Sequence, residues 1–369
     1  MSNAITRGRL RRAATSAGAL VAVSTLAFSL AACSSRGDTP AGDETTAGGA
    51  TVTKLAWVGP ENETDLGWNQ IGLANSKDAA DQLGVDYVSV PDAGWDNTET
   101  VLDQVIQDDG AQFVIAHASG YGVASQTVAA QTKVPILIQD SGIDPVPGQI
   151  AEALVQAEQG GYIAGIAAAK ATKTHTVAVV ISADDVNWLD MAGGFAEGVY
   201  SVDPTITVLF GQISADGYAD SAGGKAAVDT VIAGGADVVF GMGDGSTLGY
   251  IQSINEHPGV KYIADLGDVS GALTDQSVLL TTIVWDYTDT YVQAVKDFEA
   301  GTFGTKNYTL TVGNGGLYLL DTPNMTDDIK SAVKTATDAI DAGSIVPDGA
   351  ANSDEVKALI AAKKDAPKK

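Results

Sequence analysis

Nine short apolar runs, separated by amphipathic segments, dominate the chain from Val52 onward. Each run has the length of a buried strand, and the segments between them, such as residues 98–108 and 221–233, have the periodicity of surface helices. This alternation predicts βα units around parallel sheets. The runs are residues 55–58, 87–90, 113–116, 136–138, 177–181, 208–210, 238–240, 262–264 and 279–284.

Two similar halves are predicted, each a doubly wound α/β domain, with a cleft between them. The Ala- and Gly-rich residues 156–170 predict a closely packed helix at the first crossing. The expected lobes are residues 52–156 plus about 266–301, and residues 157–265 plus about 302–349. Residues 308–320 alternate and contain glycines, which predicts a hairpin, and residues 350–369 are expected to be a polar tail.

The amino terminus has the pattern of a signal peptide. Four arginines precede an apolar run over residues 13–30, and Leu30-Ala31-Ala32-Cys33 closes that run. These four residues resemble the bacterial lipobox, so residues 1–33 are predicted to be a lipoprotein signal ending at a lipid-bearing Cys33. An ordinary secretory signal is the alternative. The Ser-, Gly- and Thr-rich residues 34–51 predict a flexible tether to the outer face of the cell membrane.

Charge and cysteine content exclude several classes of function. The formal net charge is −25, which argues against nucleic acid as a partner and against membrane contact except through the lipid. Cys33 is the only cysteine in the sequence, so neither a disulfide framework nor a thiolate metal site is expected. We expect no metal and no cofactor.

The stretch KLAWVGPENETDLGWNQ, residues 54–70, predicts a strand, a polar loop and the start of a helix. Asp65, Trp68 and Asn69 would then lie at the carboxyl edge of a sheet, where open α/β sheets bind ligands. An indole, a carboxylate and an amide suit a small molecule with a flat ring and several hydroxyl or amine hydrogens. Alternatively, the Trp packs in the core and the Asp caps the helix.

Polar and aromatic residues follow other predicted strands in the same way. Taken alone, each could be a turn or a cap, but three Trp with recurring Asp and Asn at one edge favour a binding site. The additional candidate residues are Tyr121, Asp140, Asn187, Trp188, Gly243, Asp244, Asp265, Asp268 and Trp285.

Catalytic motifs are weak in this sequence. Residues 241–246 approach a dinucleotide fingerprint, but Ser246 stands where Gly or Ala is required. No phosphate-binding loop, G-x-S-x-G or H-E-x-x-H motif occurs, and the three histidines are isolated. We therefore predict a binding protein, with a nucleoside-processing enzyme as the alternative.

Four segments together resemble the basic membrane protein family: residues 65–69, 158–165, 194–198 and 234–240. The resemblance extends over about residues 54–320. It implies the type I periplasmic-binding-protein fold, two doubly wound parallel-sheet domains joined by a multi-strand hinge. It also implies a substrate-binding lipoprotein of an ABC importer, similar to purine nucleoside receptors, that works as a monomer with a permease partner. The implied ligand is a purine nucleoside or nucleobase; a sugar or other small polar ligand is the alternative, and so is a receptor that signals without an importer.

The resemblance also implies roles for particular residues. The family's D-x-x-[FW]-N segment falls on Asp65, Trp68 and Asn69, its glycine-rich turns fall before Tyr121 and on residues 243–245, and its Asp at the second crossing matches Asp265 or Asp268. One position departs from the nucleoside-binding branch. Trp285 stands where that branch has a lysine, so a cation is replaced by an indole.

Overall fold

The computed structural model of the chain describes residues 50–364. The predicted signal peptide, Cys33 and residues 34–49 of the predicted tether lie outside the described residues. Within residues 50–364, no helix is both long enough and apolar enough to cross a membrane.

Strands and helices alternate through most of the described chain. The strands are β1 Lys54–Val58, β2 Asp86–Val90, β3 Phe113–Ala116, β4 Ile136–Gln139, β5 Ile150–Val155, β6 Thr176–Ile181, β7 Thr207–Gln212, β8 Val238–Met242, β9 Lys261–Leu266, β10 Leu279–Trp285, β11 Tyr308–Leu310 and β12 Leu317–Leu319. The helices are α1 Trp68–Leu83, α2 Thr98–Gln107, α3 Gly122–Thr132, α4 Ala157–Ala171, α5 Val186–Val202, α6 Ser221–Ala233, α7 Thr247–Glu256, α8 Thr288–Glu299, α9 Asp327–Asp341 and α10 Ser353–Lys364.

The strands form two six-stranded sheets. The first has the order β11-β5-β4-β3-β1-β2 and is parallel throughout. The second has the order β12-β10-β9-β8-β6-β7 and is parallel except for β12, which runs antiparallel to β10. All nine apolar runs are strands, so the predicted doubly wound α/β fold is confirmed. We call the parts of the chain around these sheets the first and second lobes.

One prediction about short strands was wrong, and one strand was not predicted. Residues 308–320 are not a hairpin, because β11 extends the first sheet beside β5 and β12 extends the second beside β10. β5 was missed because Glu152 interrupts its apolar pattern. The Glu152 side chain is buried and its Oε1 accepts hydrogen bonds from the backbone amides of Ser141 and Ile143, at 2.8 and 3.1 Å.

The chain passes between the sheets at different points from those expected. α4 connects β5 to β6, as predicted, but the expected return at residues 265–268 does not occur there. β10 stays in the second sheet, paired with β9, and the chain returns to the first lobe in α8, which packs against α1. The predicted polar tail also contains α10, whose Val356 is fully buried.

Small residues bring α4 and α5 into close contact, as their sequence predicts. A Cβ on Gly161 of α4 would overlap the carbonyl oxygen of Met191, and one on Gly194 of α5 would overlap the carbonyl oxygen of Glu158. The two helices therefore approach backbone to backbone, and any larger residue at these positions would force them apart.

Candidate functional site

A cavity of about 280 Å³ lies between the two lobes, at the carboxyl ends of strands from both sheets. Residues that follow β1 to β4 line it from the first lobe, and residues at or after the ends of β6 to β10 line it from the second. The lining consists of Pro60, Glu61, Trp68, Asn69, Trp95, Ser119, Asp140, Asp185, Val186, Asn187, Trp188, Tyr218, Asp244, Leu266 and Trp285.

Asp65 organises the start of α1 instead of lining the cavity. Its carboxylate accepts hydrogen bonds from the backbone amides of Gly67, Asn69 and Gln70, at 2.9 to 3.1 Å. It also accepts a bond from Nδ2 of Asn69, at 3.0 Å. Asp65 thus satisfies amides that a helix start leaves free and sets the orientation of Asn69, which does line the cavity.

Trp68 is held from two sides. Its ring lies against the His117 imidazole, with centroids 3.9 Å apart, and its Nε1 lies 3.4 Å from the Tyr287 hydroxyl. Burial lowers the pKa of His117 to about 3, so the imidazole is neutral, and its Nε2–H donates to the Trp68 carbonyl at 2.9 Å. The indole is therefore a fixed surface of the cavity.

Trp285 is held by a buried carboxyl group. Its Nε1–H donates to Oδ1 of Asp265 at 3.1 Å. Burial, reinforced by the charge of Asp244, raises the pKa of Asp265 well above its ordinary value. Oδ2 of Asp265 and Oδ1 of Asn69 have no hydrogen-bond partner among the described residues, although both side chains are buried. Of these two residues Asn69 lines the cavity, so its Oδ1 is the acceptor that a ligand could satisfy.

The second lobe presents the start of α5. Asp185 caps this helix by accepting from the amides of Asn187 and Trp188, at 2.9 and 3.2 Å, and burial raises the pKa of Asp185. Nδ2 of Asn187 donates across the cleft to Oδ2 of Asp140, at 2.9 Å. The Trp188 ring packs against Tyr218, with centroids 5.4 Å apart.

Asp244 makes a second connection across the cleft. Its Oδ1 accepts from the Trp68 amide at 3.2 Å, and burial together with the charge of Asp65 raises the pKa of Asp244 to about 8. Asp244, Asp140 and Leu266 all have positive φ angles, of 41°, 42° and 69°. Positive φ is unfavourable for residues other than glycine, yet these three residues end or follow strands at the cavity. Backbone strain of this kind tends to occur at binding sites.

Seven of the twelve residues predicted from the sequence line the cavity: Trp68, Asn69, Asp140, Asn187, Trp188, Asp244 and Trp285. The other five, Asp65, Tyr121, Gly243, Asp265 and Asp268, do not line it.

The structure places these remaining residues around or away from the cavity. Tyr121 is buried and its hydroxyl donates to the Gly94 carbonyl. Gly243 packs against Tyr250. Of the two aspartates at the second crossing, Asp265 lies behind Trp285, whereas Asp268 is exposed and lines a separate surface depression.

Eight cavity residues were not predicted: Pro60, Glu61, Trp95, Ser119, Asp185, Val186, Tyr218 and Leu266. Trp95 and Tyr218 follow β2 and β7, the outer strands beside β1 and β6. The signal that could have found them is the one used elsewhere, an aromatic residue after a strand. These two residues were not predicted because they lie five and six residues after the ends of their strands.

The chemistry of the lining favours binding of an organic molecule. Five aromatic side chains offer faces or edges, and carboxylates and amides offer hydrogen-bond acceptors and donors. Among the described residues, no group of three or more His, Cys, Asp or Glu side chains is placed to hold a metal ion. His, Cys, Lys and Arg are all missing from the cavity lining.

Two lobes with facing carboxyl edges and a cavity between them define a two-lobed solute-binding protein. The fold resembles that of an ABC transporter solute-binding protein from Conexibacter woesei, with a TM-score of 0.68 and 20% identity over 80% of this chain and 99% of the other. It also resembles one from Aeropyrum pernix, with a TM-score of 0.69 and 17% identity over 84% and 98% of the two chains.

Residues 52–349 match the family described as ABC transporter substrate-binding protein PnrA-like, and the chain belongs to this family. ABC transporter substrate-binding proteins are extracytoplasmic and bind small ligands for a permease. A nucleoside-binding protein, BmpA from Lactococcus lactis, is 30% identical over 62% of this chain and 69% of its own length. The transcriptional activator protein med from Bacillus subtilis is 23% identical over 71% and 80%.

Proposed function

We propose that this protein is the ligand-capturing lipoprotein of an ABC importer and that its ligand is a purine nucleoside or nucleobase. The observation that carries the proposal is the pair of indoles from opposite lobes, Trp68 and Trp285, on the lining of one cavity. Indoles contributed by both lobes suit a flat ring system captured as the lobes come together.

Polar groups beside these indoles suit the edge of such a ring or its sugar. Asp244 and Asn69 line the cavity, and Oδ1 of Asn69 has no hydrogen-bond partner among the described residues. An analogue that lacks the matching donor would leave a buried acceptor unpaired, at a cost of about 1–3 kcal/mol. The Lactococcus relative is a nucleoside-binding protein, which supports the same ligand class.

A thermal-shift screen over nucleobases, nucleosides, sugars and amino acids, followed by calorimetry, tests the ligand. Trp68→Ala and Trp285→Ala should each weaken binding of the best purine compound by about tenfold or more. Trp57→Phe is the matched control, because Trp57 is fully buried and does not line the cavity. Stabilisation by non-aromatic compounds alone, or unchanged affinity in both alanine variants, would refute the proposal.

Anchoring through Cys33 is the second part of the proposal, and it rests on the LAAC sequence at the end of the basic and apolar leader. Metabolic labelling with a fatty-acid analogue should mark the wild-type chain and not Cys33→Ser, and the variant should be lost from the membrane fraction. Equal labelling of the two chains would show that Cys33 carries no lipid. Co-purification with a permease from membranes tests the importer partner.

A further inference from the structure

Acidic residues alone carry the charge in the loops that follow most of the strands. The loops that follow β1 to β4 and β6 to β9 contain fourteen Asp and Glu residues and no Lys or Arg. Their one histidine, His117, is fully buried, and burial lowers its pKa to about 3. These loops are residues 59–67, 91–97, 117–121, 140–149, 182–185, 213–220, 243–246 and 267–278.

The cavity itself has the same imbalance. Four acidic residues and five aromatic residues line it, without a basic residue. Three of the acids are held only by neutral donors: Asp140 by the Asn187 amide group, Asp185 by backbone amides at the start of α5, and Asp244 by the Trp68 amide. No ion pair among the described residues involves any of these three. These three carboxyl groups thus have no cationic partner in the protein, and burial raises the pKa of Asp185 and of Asp244 instead.

The Asn69 side chain offers an unpaired hydrogen-bond acceptor at the cavity. Asn69 lines the cavity and is only 5% exposed, and its Oδ1 has no partner because its Nδ2 donates to Asp65. Buried acceptors of this kind require a donor from the ligand.

We propose that the cleft selects a ligand with a positive charge on or beside its flat ring, such as a protonated or N-alkylated nitrogen heterocycle. A cation is attracted to the faces of Trp and Tyr rings as well as to carboxylates, so the same lining would recognise both ring and charge. An anionic ligand would find no basic side chain in the lining. The inference rests on the proposed function, because it specifies the ligand of that same cavity.

The protonation of Asp244 is consistent with this selection. Burial, and then the charge of Asp65, raises the pKa of this carboxyl group to about 8 when the cavity holds no cation. A positive charge placed in the cavity favours the carboxylate form, so a cationic ligand gains an ion pair that a neutral analogue does not.

Two matched pairs of compounds test the inference by calorimetry on the full chain at neutral pH. The first pair is adenosine and 1-methyladenosine, and the second is nicotinamide and 1-methylnicotinamide. In each pair the methylated compound is cationic. The cationic member of a pair that binds should do so at least about tenfold more tightly than the neutral member.

Charge-neutralising variants separate the effect of the charge from that of the added methyl group. Asp244→Asn keeps an oxygen for the Trp68 amide but removes a carboxyl group that can ionise from the lining. This variant should lose most of the preference for the cationic member of each pair. Asp268→Asn removes a carboxyl group from an exposed site outside the cavity, so this variant should keep the preference for the cationic compound.

The possible results distinguish this inference from the proposed function. If adenosine binds as tightly as or more tightly than 1-methyladenosine, the inference is overturned and the nucleoside proposal stands. If 1-methylnicotinamide binds at least about tenfold more tightly than nicotinamide and neither nucleoside binds, the inference stands and the nucleoside proposal fails. Failure of all four compounds to bind overturns both.

Discussion

The backbone amide of Trp68 donates a hydrogen bond to Oδ1 of Asp244, 3.2 Å away across the cleft between the lobes. Gly67, just before Trp68, makes this approach possible. A Cβ at Gly67 would lie 2.5 Å from Oδ1 of Asp244 and 2.9 Å from its Cα. Together with the bond from Asn187 to Asp140, this contact fastens the two lobes to each other at two points.

Gly67→Ala should therefore hold the cleft partly open. The added methyl group cannot fit between the lobes in this arrangement, which should disfavour closure by about 1–3 kcal/mol. Small-angle scattering should show a larger radius of gyration for the ligand-free variant, and calorimetry should show weaker ligand binding. Gly271→Ala is the matched control, because a Cβ there would have no neighbour within 4 Å. Identical scattering from Gly67→Ala and wild type would contradict this view of closure.

Much of the fold could be predicted because buried parallel strands have continuous apolar sequences. β5 escaped prediction because Glu152 breaks its pattern, and the amides that satisfy this carboxylate come from residues 141 and 143, whose proximity only the folded chain reveals. For the same reason, the separation of β11 and β12 into different sheets depends on partners far away in the sequence.

The candidate site was predictable to the extent that strand ends indicate it. Trp68, Asp244 and Trp285 were predicted because each ends or closely follows a strand, or begins the next helix. Asp65 has the alternative role that its sequence also allowed, as a cap on α1. Sequence spacing does not show which polar residues face the cavity and which satisfy a helix start, because this depends on the direction of each side chain.

The titration of Asp244 predicts how closure depends on pH. Partial burial and the nearby charges of Asp65, Asp185 and Glu61 raise its pKa to about 8 in the closed arrangement. Because protonation of Asp244 is easier in the closed form, this group stabilises closure fully below the ordinary aspartate pKa of about 4. The stabilisation is lost as the pH rises from there through about 8, the pKa in the closed form. The ligand-free protein should therefore open as the pH is raised over this range.

Small-angle scattering of the ligand-free protein between about pH 5 and pH 9 measures this opening. Asp244→Asn should remove most of the pH dependence, because the amide does not titrate and still offers an oxygen to Trp68. Asp268→Asn, at an exposed position away from the cavity, should behave like wild type. A pH dependence that survives in Asp244→Asn would assign the effect to another group.

Two neighbouring glycines of α4 should respond oppositely to alanine. A Cβ at Gly161 would overlap the Met191 carbonyl, so Gly161→Ala should reduce the free energy of unfolding by about 1–3 kcal/mol. At Gly160 the nearest atom would be Cγ2 of Ile283, at an acceptable 3.4 Å. Gly160→Ala should be neutral or stabilising by up to about 1 kcal/mol through helix propensity. Urea unfolding compares them, and equal destabilisation would refute the proposed role of backbone contact between α4 and α5.

Tryptophan fluorescence should report ligand binding directly. The chain has five Trp residues, and four of them, Trp68, Trp95, Trp188 and Trp285, line the cavity. Trp95 is 55% exposed, whereas Trp57 is fully buried in the core. A ligand that fills the cavity should shift the emission to shorter wavelength and protect it from acrylamide, mainly by shielding Trp95. Trp95→Phe should lose most of this shift, and Trp57→Phe should keep it. If the shift disappears in Trp57→Phe instead, the ligand acts on the core of the first lobe and not in the cleft.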